Sequence, residues 1–221
     1  MIVAIDGPAA AGKGTLARAL ARRLGWTYLD TGAMYRAIAV AVLDDGTDPD
    51  DATGVARIAR SARVTIDGDF VDLDGVDVSA RIRAPEVTRA VSAVAAHPGV
   101  RKVLVERQRE LIHAEGDVVM EGRDIGTTVA PDAEVKLFLT ASLEERARRR
   151  ALQLELEPTT EVLAELADDL ARRDRADASR AASPFRRAPD ALVIDSTGRS
   201  VDELVEEVAI VVAKARDVRA T

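Results

Sequence analysis

The sequence predicts an α/β fold, a five-stranded parallel sheet flanked by helices. Three observations carry this. Short apolar runs alternate with amphipathic helical stretches. A glycine-rich turn joins the first run to the first helix. Two later runs, DVVM at 117–120 and VKLFL at 135–139, are apolar enough to be central parallel strands covered on both faces.

Taken in order, residues 1–6 (MIVAID) are an apolar run ending in a carboxylate, with a strand expected at 2–5. From Lys13 to Leu24, residues Leu16, Ala17, Leu20, Ala21 and Leu24 share one helical face, and Gly25 stops that helix. A second strand follows at 26–29 (WTYL) and a second helix from Ala33 to Leu43. The rhythm breaks near residue 63. Three strand-like pieces, Arg63–Ile66, Phe70–Leu73 and Val76–Val78, are separated by Asp-Gly signals and predict an antiparallel hairpin or meander. Helical patterns at 85–96 and 99–114 meet at His97-Pro98-Gly99. After strands at 117–120 and 135–139 come helices at 142–156 and 159–173, an irregular segment at 174–190, a strand at 191–194 and an amphipathic helix at 200–216. The expected organisation is one domain over 1–221, with an inserted segment at 63–96 and a helical lid at 151–183.

Composition narrows the functional classes. The chain of 221 residues is 47% hydrophobic and 31% charged, the profile of a soluble globular domain. Cysteine is absent, which excludes disulfides and thiolate zinc sites. The opening MIVAIDGPAAAGKG lacks a basic n-region and a long apolar core. No run approaches the ~20 apolar residues that span a bilayer, so a cytoplasmic protein without a membrane partner is expected. A net charge of −7 argues against a nucleic-acid partner held by phosphate neutralisation. No apolar stripe suggests a protein partner, so a monomer is expected. Lysine occurs only at 13, 102, 136 and 214, so arginine supplies the other 27 of the 31 basic residues. Arginines near turns can grip phosphate in bidentate fashion. His97 and His113 are read as loop and helix-surface residues without a role.

Gly7-Pro8-Ala9-Ala10-Ala11-Gly12-Lys13-Gly14-Thr15 supplies the first seven positions of G-x-x-x-x-G-K-[ST], after a strand and at the start of a helix. Small residues let backbone N–H groups turn inward around a phosphate, and the helix N-terminus adds partial positive charge. Lys13 can then reach the β- and γ-phosphates of a nucleoside triphosphate as a point charge. Gly14 stands at the usual hydroxyl position and Thr15 one residue later, which leaves open whether Thr15 ligates magnesium directly. The chain has no asparagine, so an Asn-Lys-x-Asp guanine-reading motif is absent.

Three further segments fall where loops leave the carboxyl edge of the sheet, the ligand-binding edge of open α/β proteins. They are Asp30-Thr31-Gly32-Ala33-Met34-Tyr35-Arg36, Glu121-Gly122-Arg123-Asp124-Ile125-Gly126-Thr127, and Arg173-Asp174-Arg175-Ala176-Asp177-Ala178-Ser179-Arg180. With GPAAAGKGT, these resemble the motif set of bacterial cytidylate kinases, nearly end to end. The sequence departs from some relatives at Ala176, where they carry another arginine, and at Ala178, where others carry serine.

The resemblance implies a phosphate-loop kinase that transfers the γ-phosphoryl group of ATP, with Mg2+, to CMP or dCMP. It implies catalytic roles for Lys13, Arg123, Arg173 and Arg180, and an ATP site in the loop Gly7–Thr15. One or more of Arg146, Arg149 and Arg150 would contact ATP, the others pairing with Glu144 and Glu145 or facing water. Acceptor contacts are implied for Thr31, Arg36, Ser92, Arg101, Arg123, Asp124, Asp177 and Arg180. Of these, Ser92, Arg101 and Asp124 would read the cytosine, and Asp177 would meet the ribose. Thr31 is either an acceptor donor or a helix N-cap, and Glu121 either holds magnesium through water or ends its strand as a structural carboxylate. Two rival readings stay open: a kinase for another nucleoside monophosphate or a small metabolite such as shikimate, and a non-catalytic nucleotide-binding regulator.

Overall fold

The computed structural model describes residues 1–220. The chain runs β1 (Ile2–Asp6), α1 (Lys13–Leu24), β2 (Thr27–Asp30), α2 (Thr31–Asp45), α3 (Ala52–Ser61), β3 (Val64–Asp67), β4 (Phe70–Leu73) and β5 (Val76–Asp77). It continues through α4 (Pro85–Val94), α5 (Pro98–Glu115), β6 (Val118–Gly122), β7 (Val135–Thr140), α6 (Leu143–Gln153), α7 (Thr160–Ala178), β8 (Leu192–Asp195) and α8 (Val201–Ala220). A π-turn at Ile125–Val129 follows β6.

The main sheet has the strand order β2-β6-β1-β7-β8, and every neighbouring pair in it is parallel. Period-two alternation in β1 sends Val3 and Ile5 toward α1 and α8, where they pack with Leu16, Leu20, Val205 and Val208. Ala4 faces the opposite layer, among Val105, Met120 and Ile125. Both faces are therefore covered, which is why these strands read as continuous apolar runs. From β1 the chain crosses to β2 on one side and later to β7 on the other, so a crevice opens at the carboxyl ends of β1 and β6. The close approach of β1 to its neighbour requires a glycine at its exit. A Cβ on Gly7 would lie 2.1 Å from the carbonyl oxygen of Leu139.

The antiparallel expectation holds in the three-stranded sheet β3-β4-β5, which packs through Val71 and Leu73 on α2. One element was not foreseen and one expected boundary does not hold. Helix α3 was not foreseen, although Asp51 caps it and Val55, Ile58 and Ala59 form its buried face. The segment expected to turn irregular at 174 remains helical through Ala178, because its charges are paired across the fold rather than solvated. Among the described residues, no helix is long and apolar enough to cross a membrane.

Candidate active site

The carboxyl ends of β1, β2 and β6 and the inner faces of α2, α4, α5 and α7 surround a cleft of about 250 Å³. It brings together Ala9, Ala10, Lys13, Thr31, Arg36, Ser92, Arg101, Arg123, Asp124, Arg150, Arg173, Asp177 and Arg180. Every side chain assigned to the acceptor in the sequence thus lines one space. Thr15 is exposed and lies outside that lining, as do Arg146 and Arg149.

At the donor end, no side chain caps α1, so the amides of its first turn are left to the loop. The Lys13 ammonium donates to the Pro8 carbonyl at 2.9 Å. Burial and the Arg123 guanidinium pull its pKa down to about 7 from 10.5, against the pull of Glu121 and Asp6. Between those two values the unfolded chain binds more protons at Lys13 than the folded one, so this group makes stability rise with pH across that window. Bound phosphates favour the charged ammonium. Calorimetry of ATP binding at about pH 8, in buffers of differing ionisation enthalpy, is expected to show net proton uptake approaching about one proton. Lys13→Met is expected to abolish that uptake.

The three arginines of α6 divide their work. Arg146 donates to the Ala9 carbonyl at 3.3 Å and pairs with Asp174, whose other oxygen accepts from the Ala9 amide at 3.2 Å. Arg149 donates to Ala11, to both the hydroxyl and carbonyl of Ser196, and to Glu145. These two brace the loop from behind; all three guanidinium nitrogens of Arg149 donate to protein acceptors, whereas Arg146 donates through Nη1 and its buried Nε has no partner. Arg150 alone of the three faces the cleft.

Gly14 has a specific neighbour. A Cβ there would stand 2.6 Å from Oε1 of Glu121, which also accepts from the Tyr28 hydroxyl at 3.0 Å. The Glu121 carboxylate therefore fills the room that a side chain at position 14 would need. Burial and the nearby Asp30 carboxylate hold its pKa above the usual range.

The acceptor end is built on α2 and the segment after β6. Asp30, not Thr31, caps α2, accepting from the Ala33 amide at 3.0 Å. The Thr31 hydroxyl instead donates to the Glu121 carbonyl at 2.7 Å, tying β2 to β6. Arg36 donates to the Ile82 carbonyl and the Thr88 hydroxyl, both at 3.1 Å, and so links α2 to the inserted segment. Arg123 and Asp124 are not paired with each other. Arg123 donates to Asp177 at 2.9 Å and to the Gly7 carbonyl at 2.7 Å. Asp124 accepts from Arg101 at 2.5 Å, with both side chains buried. Asp177 also pairs with Arg180.

Buried Nε atoms without a hydrogen-bond partner also occur on Arg101 and Arg180, but those two are in ion pairs; Arg173 has such an Nε and, among the described residues, forms no ion pair. Burial, with Arg123 and Arg36 close by, lowers its pKa to about 10.

Several contributors were not read from the sequence. Tyr35 lies beneath the Arg101 guanidinium, 5.2 Å from ring centroid to Cζ, and its position inside the TGAMYR segment was the available signal. Phe185 stacks on Phe138 and backs Arg123 at 5.7 Å, a lone aromatic in a charged stretch. Asp6 ends β1 buried beneath the segment that carries Asp124.

A family model described as cytidylate kinase matches residues 3–214. The cytidylate kinase of Caldanaerobacter subterraneus subsp. tengcongensis is 48% identical over 93% of this chain and 92% of its own. That of Mycobacterium avium is 47% identical over 99% of this chain and 97% of its own. Among solved structures, a gluconokinase from Sinorhizobium meliloti matches with a TM-score of 0.51 at 13% identity, over 98% of this chain and 94% of that one, a likeness of fold alone.

Proposed function

The chain belongs to the cytidylate kinase family, and from that premise we propose how its residues divide the transfer of the γ-phosphoryl group of ATP to CMP or dCMP. In this reaction an oxygen of the acceptor phosphate forms a bond to the γ-phosphorus as the bond from that phosphorus to the β–γ bridging oxygen breaks. ADP leaves with the electron pair, and CDP or dCDP is formed. The acceptor oxygen is already anionic, so no general base is needed and the demand is positioning and charge neutralisation.

The loop Gly7–Thr15 cradles the donor phosphates, and Lys13 follows the β- and γ-oxygens. Arg123 and Arg173 neutralise the transferring group, while Arg36 and Arg180 hold the acceptor phosphate. Arg101, Asp124 and Ser92 read the cytosine edge, and Asp177 meets the sugar. Arg150 is the α6 arginine assigned to ATP. The observation that carries this division is the half-buried Arg173 side chain, without an ion-pair partner and with its Nε unsatisfied, beside Arg123, Arg36 and Arg150. Like charges gathered out of water are costly alone, and that cost is offset when phosphates arrive between them.

Magnesium fits the same floor. Glu121, in the room that Gly14 leaves open, and Asp30, at the start of α2, both line the cleft with Lys13 and offer hard carboxylate oxygens. They would hold the ion through water, and bound there it would neutralise β- and γ-phosphate oxygens. Thr15 lies outside this floor and is given no part in it. The segments 63–96 and 151–183 close over the two nucleotides and keep water from competing for the phosphoryl group. We place the protein in the cytoplasm as a monomer, with neither a nucleic acid nor a membrane as partner; its net charge of −7 accords with the absence of a polyanionic partner.

An acceptor panel with coupled ADP detection tests the reading. CMP and dCMP are expected to be used at least about a hundredfold better than UMP or AMP, since a site that hydrogen-bonds the base edge rejects bases that leave its groups unpaired. Equal use of AMP or UMP would refute it.

A further inference from the structure

Asp6 takes no part in the division above. It does not line the cleft, yet it is a carboxylate only 3% exposed at the end of an otherwise apolar strand. Burial pushes its pKa up to about 6 even with two amides donating to it. A group kept at such a cost needs a local reason.

The geometry supplies one. Oδ1 accepts the Ile125 amide and Oδ2 the Gly126 amide, each at 2.8 Å. These are the first two residues of the π-turn that follows Arg123 and Asp124. The same short stretch of chain is held from its other side, because Arg123 donates to the carbonyl of Gly7, the residue after Asp6. β1 itself is fixed by parallel pairing on both edges, with Asp6 opposite Gly122 on one side and Phe138 on the other. A carboxylate with both oxygens committed to consecutive amides leaves the turn one orientation. The Asp124 carboxyl then emerges toward Arg101 and the Arg123 guanidinium toward Asp177.

We infer that Asp6 is a positioning residue for the acceptor base: by gripping the Ile125 and Gly126 amides it sets the Asp124 and Arg123 side chains in register with the phosphate loop. The inference rests on the kinase reading given above. It makes Asp6 the point where the end of the strand that starts the donor loop sets the geometry of acceptor recognition.

Asp6→Asn keeps the size of the side chain but offers one acceptor and, toward the second amide, a donor. In the folded variant, kcat/KM for CMP is expected to fall on the order of a hundredfold, the effect of an ångström-scale misplacement. KM for ATP is expected to stay within about twofold, and the preference for CMP over UMP to narrow. A merely structural role would lower use of both nucleotides together, and that parallel loss, or no loss at all, overturns the inference. A second measurement needs no variant. In the wild-type protein, amide hydrogen exchange at Ile125 and Gly126 is expected to be among the slowest of the residues between β6 and β7, and rapid exchange there would overturn the inference even if Asp6→Asn does not fold. Failure of the wild-type protein to phosphorylate CMP would instead count against the kinase reading, and the exchange rates would still decide whether Asp6 holds the turn.

Discussion

Replacing Arg123 with alanine is expected to lower kcat on the order of a thousandfold or more, the scale seen when an arginine that neutralises a transferring phosphoryl group is removed. Arg123 sits between the two halves of the cleft. It reaches the Gly7 carbonyl at the root of the donor loop and Asp177 on α7, and its guanidinium lies over Phe185. The loss is expected in kcat more than in stability, because Asp177 keeps Arg180 as a partner. Arg123→Lys is expected to recover only a small part of the activity. Lysine carries the charge but lacks the planar fork that addresses Gly7, Asp177 and a phosphate together. Steady-state kinetics on both variants, with melting temperatures as the control, checks this. An Arg123→Lys enzyme close to wild type would show that charge alone suffices.

The second large effect concerns the Arg101–Asp124 pair, where stability and function should separate. Both side chains are buried, and the Arg101 guanidinium also lies over Tyr35. Removing one partner leaves an uncompensated buried charge. Asp124→Ala is therefore expected to cost about 3–5 kcal/mol of stability as well as use of CMP. Replacing both residues, as in Arg101→Met with Asp124→Ala, removes the stranded charge and is expected to restore most of that stability. It cannot restore the hydrogen bonds to the base, so CMP use should stay lost while ATP binding persists. Denaturant unfolding of the two variants and the wild type, read beside nucleotide titrations, measures both quantities. A double variant that regained CMP use would show that the pair is structural and the base is read elsewhere.

The parts of this protein that were legible in sequence are those governed by local chemistry. The five core strands announced themselves as apolar runs, and GPAAAGKGT stood where a strand meets a helix. Most helix starts fell within a residue or two, but ends drifted further: α6 stops at Gln153 rather than 156, and α8 runs to Ala220 rather than 216. One miss was local: α3 carried an Asp51 cap and an apolar face that went unread; the other errors arose where distant partners decide. RDRAD at 173–177 has the composition of a solvated run, and it stays helical because Asp174 meets Arg146 and Asp177 meets Arg123, residues 28 and 54 positions away. Arg146, Arg149 and Arg150 are equivalent as letters. Only packing turns the first two onto the back of the loop and leaves the third in the cleft. Asp6 was visible as a carboxylate after four apolar residues, but its amide partners lie more than a hundred positions later.

The central claim is that one cleft holds both nucleotides with their phosphates between Lys13, Arg123 and Arg173. A bisubstrate ligand, cytidine and adenosine joined through a chain of five phosphates, tests it most directly. Calorimetry is expected to show one molecule bound per chain, more tightly than either nucleotide alone, with competition from both ATP and CMP. Binding that only one of the two nucleotides displaces, or two molecules bound per chain, would contradict a shared cleft.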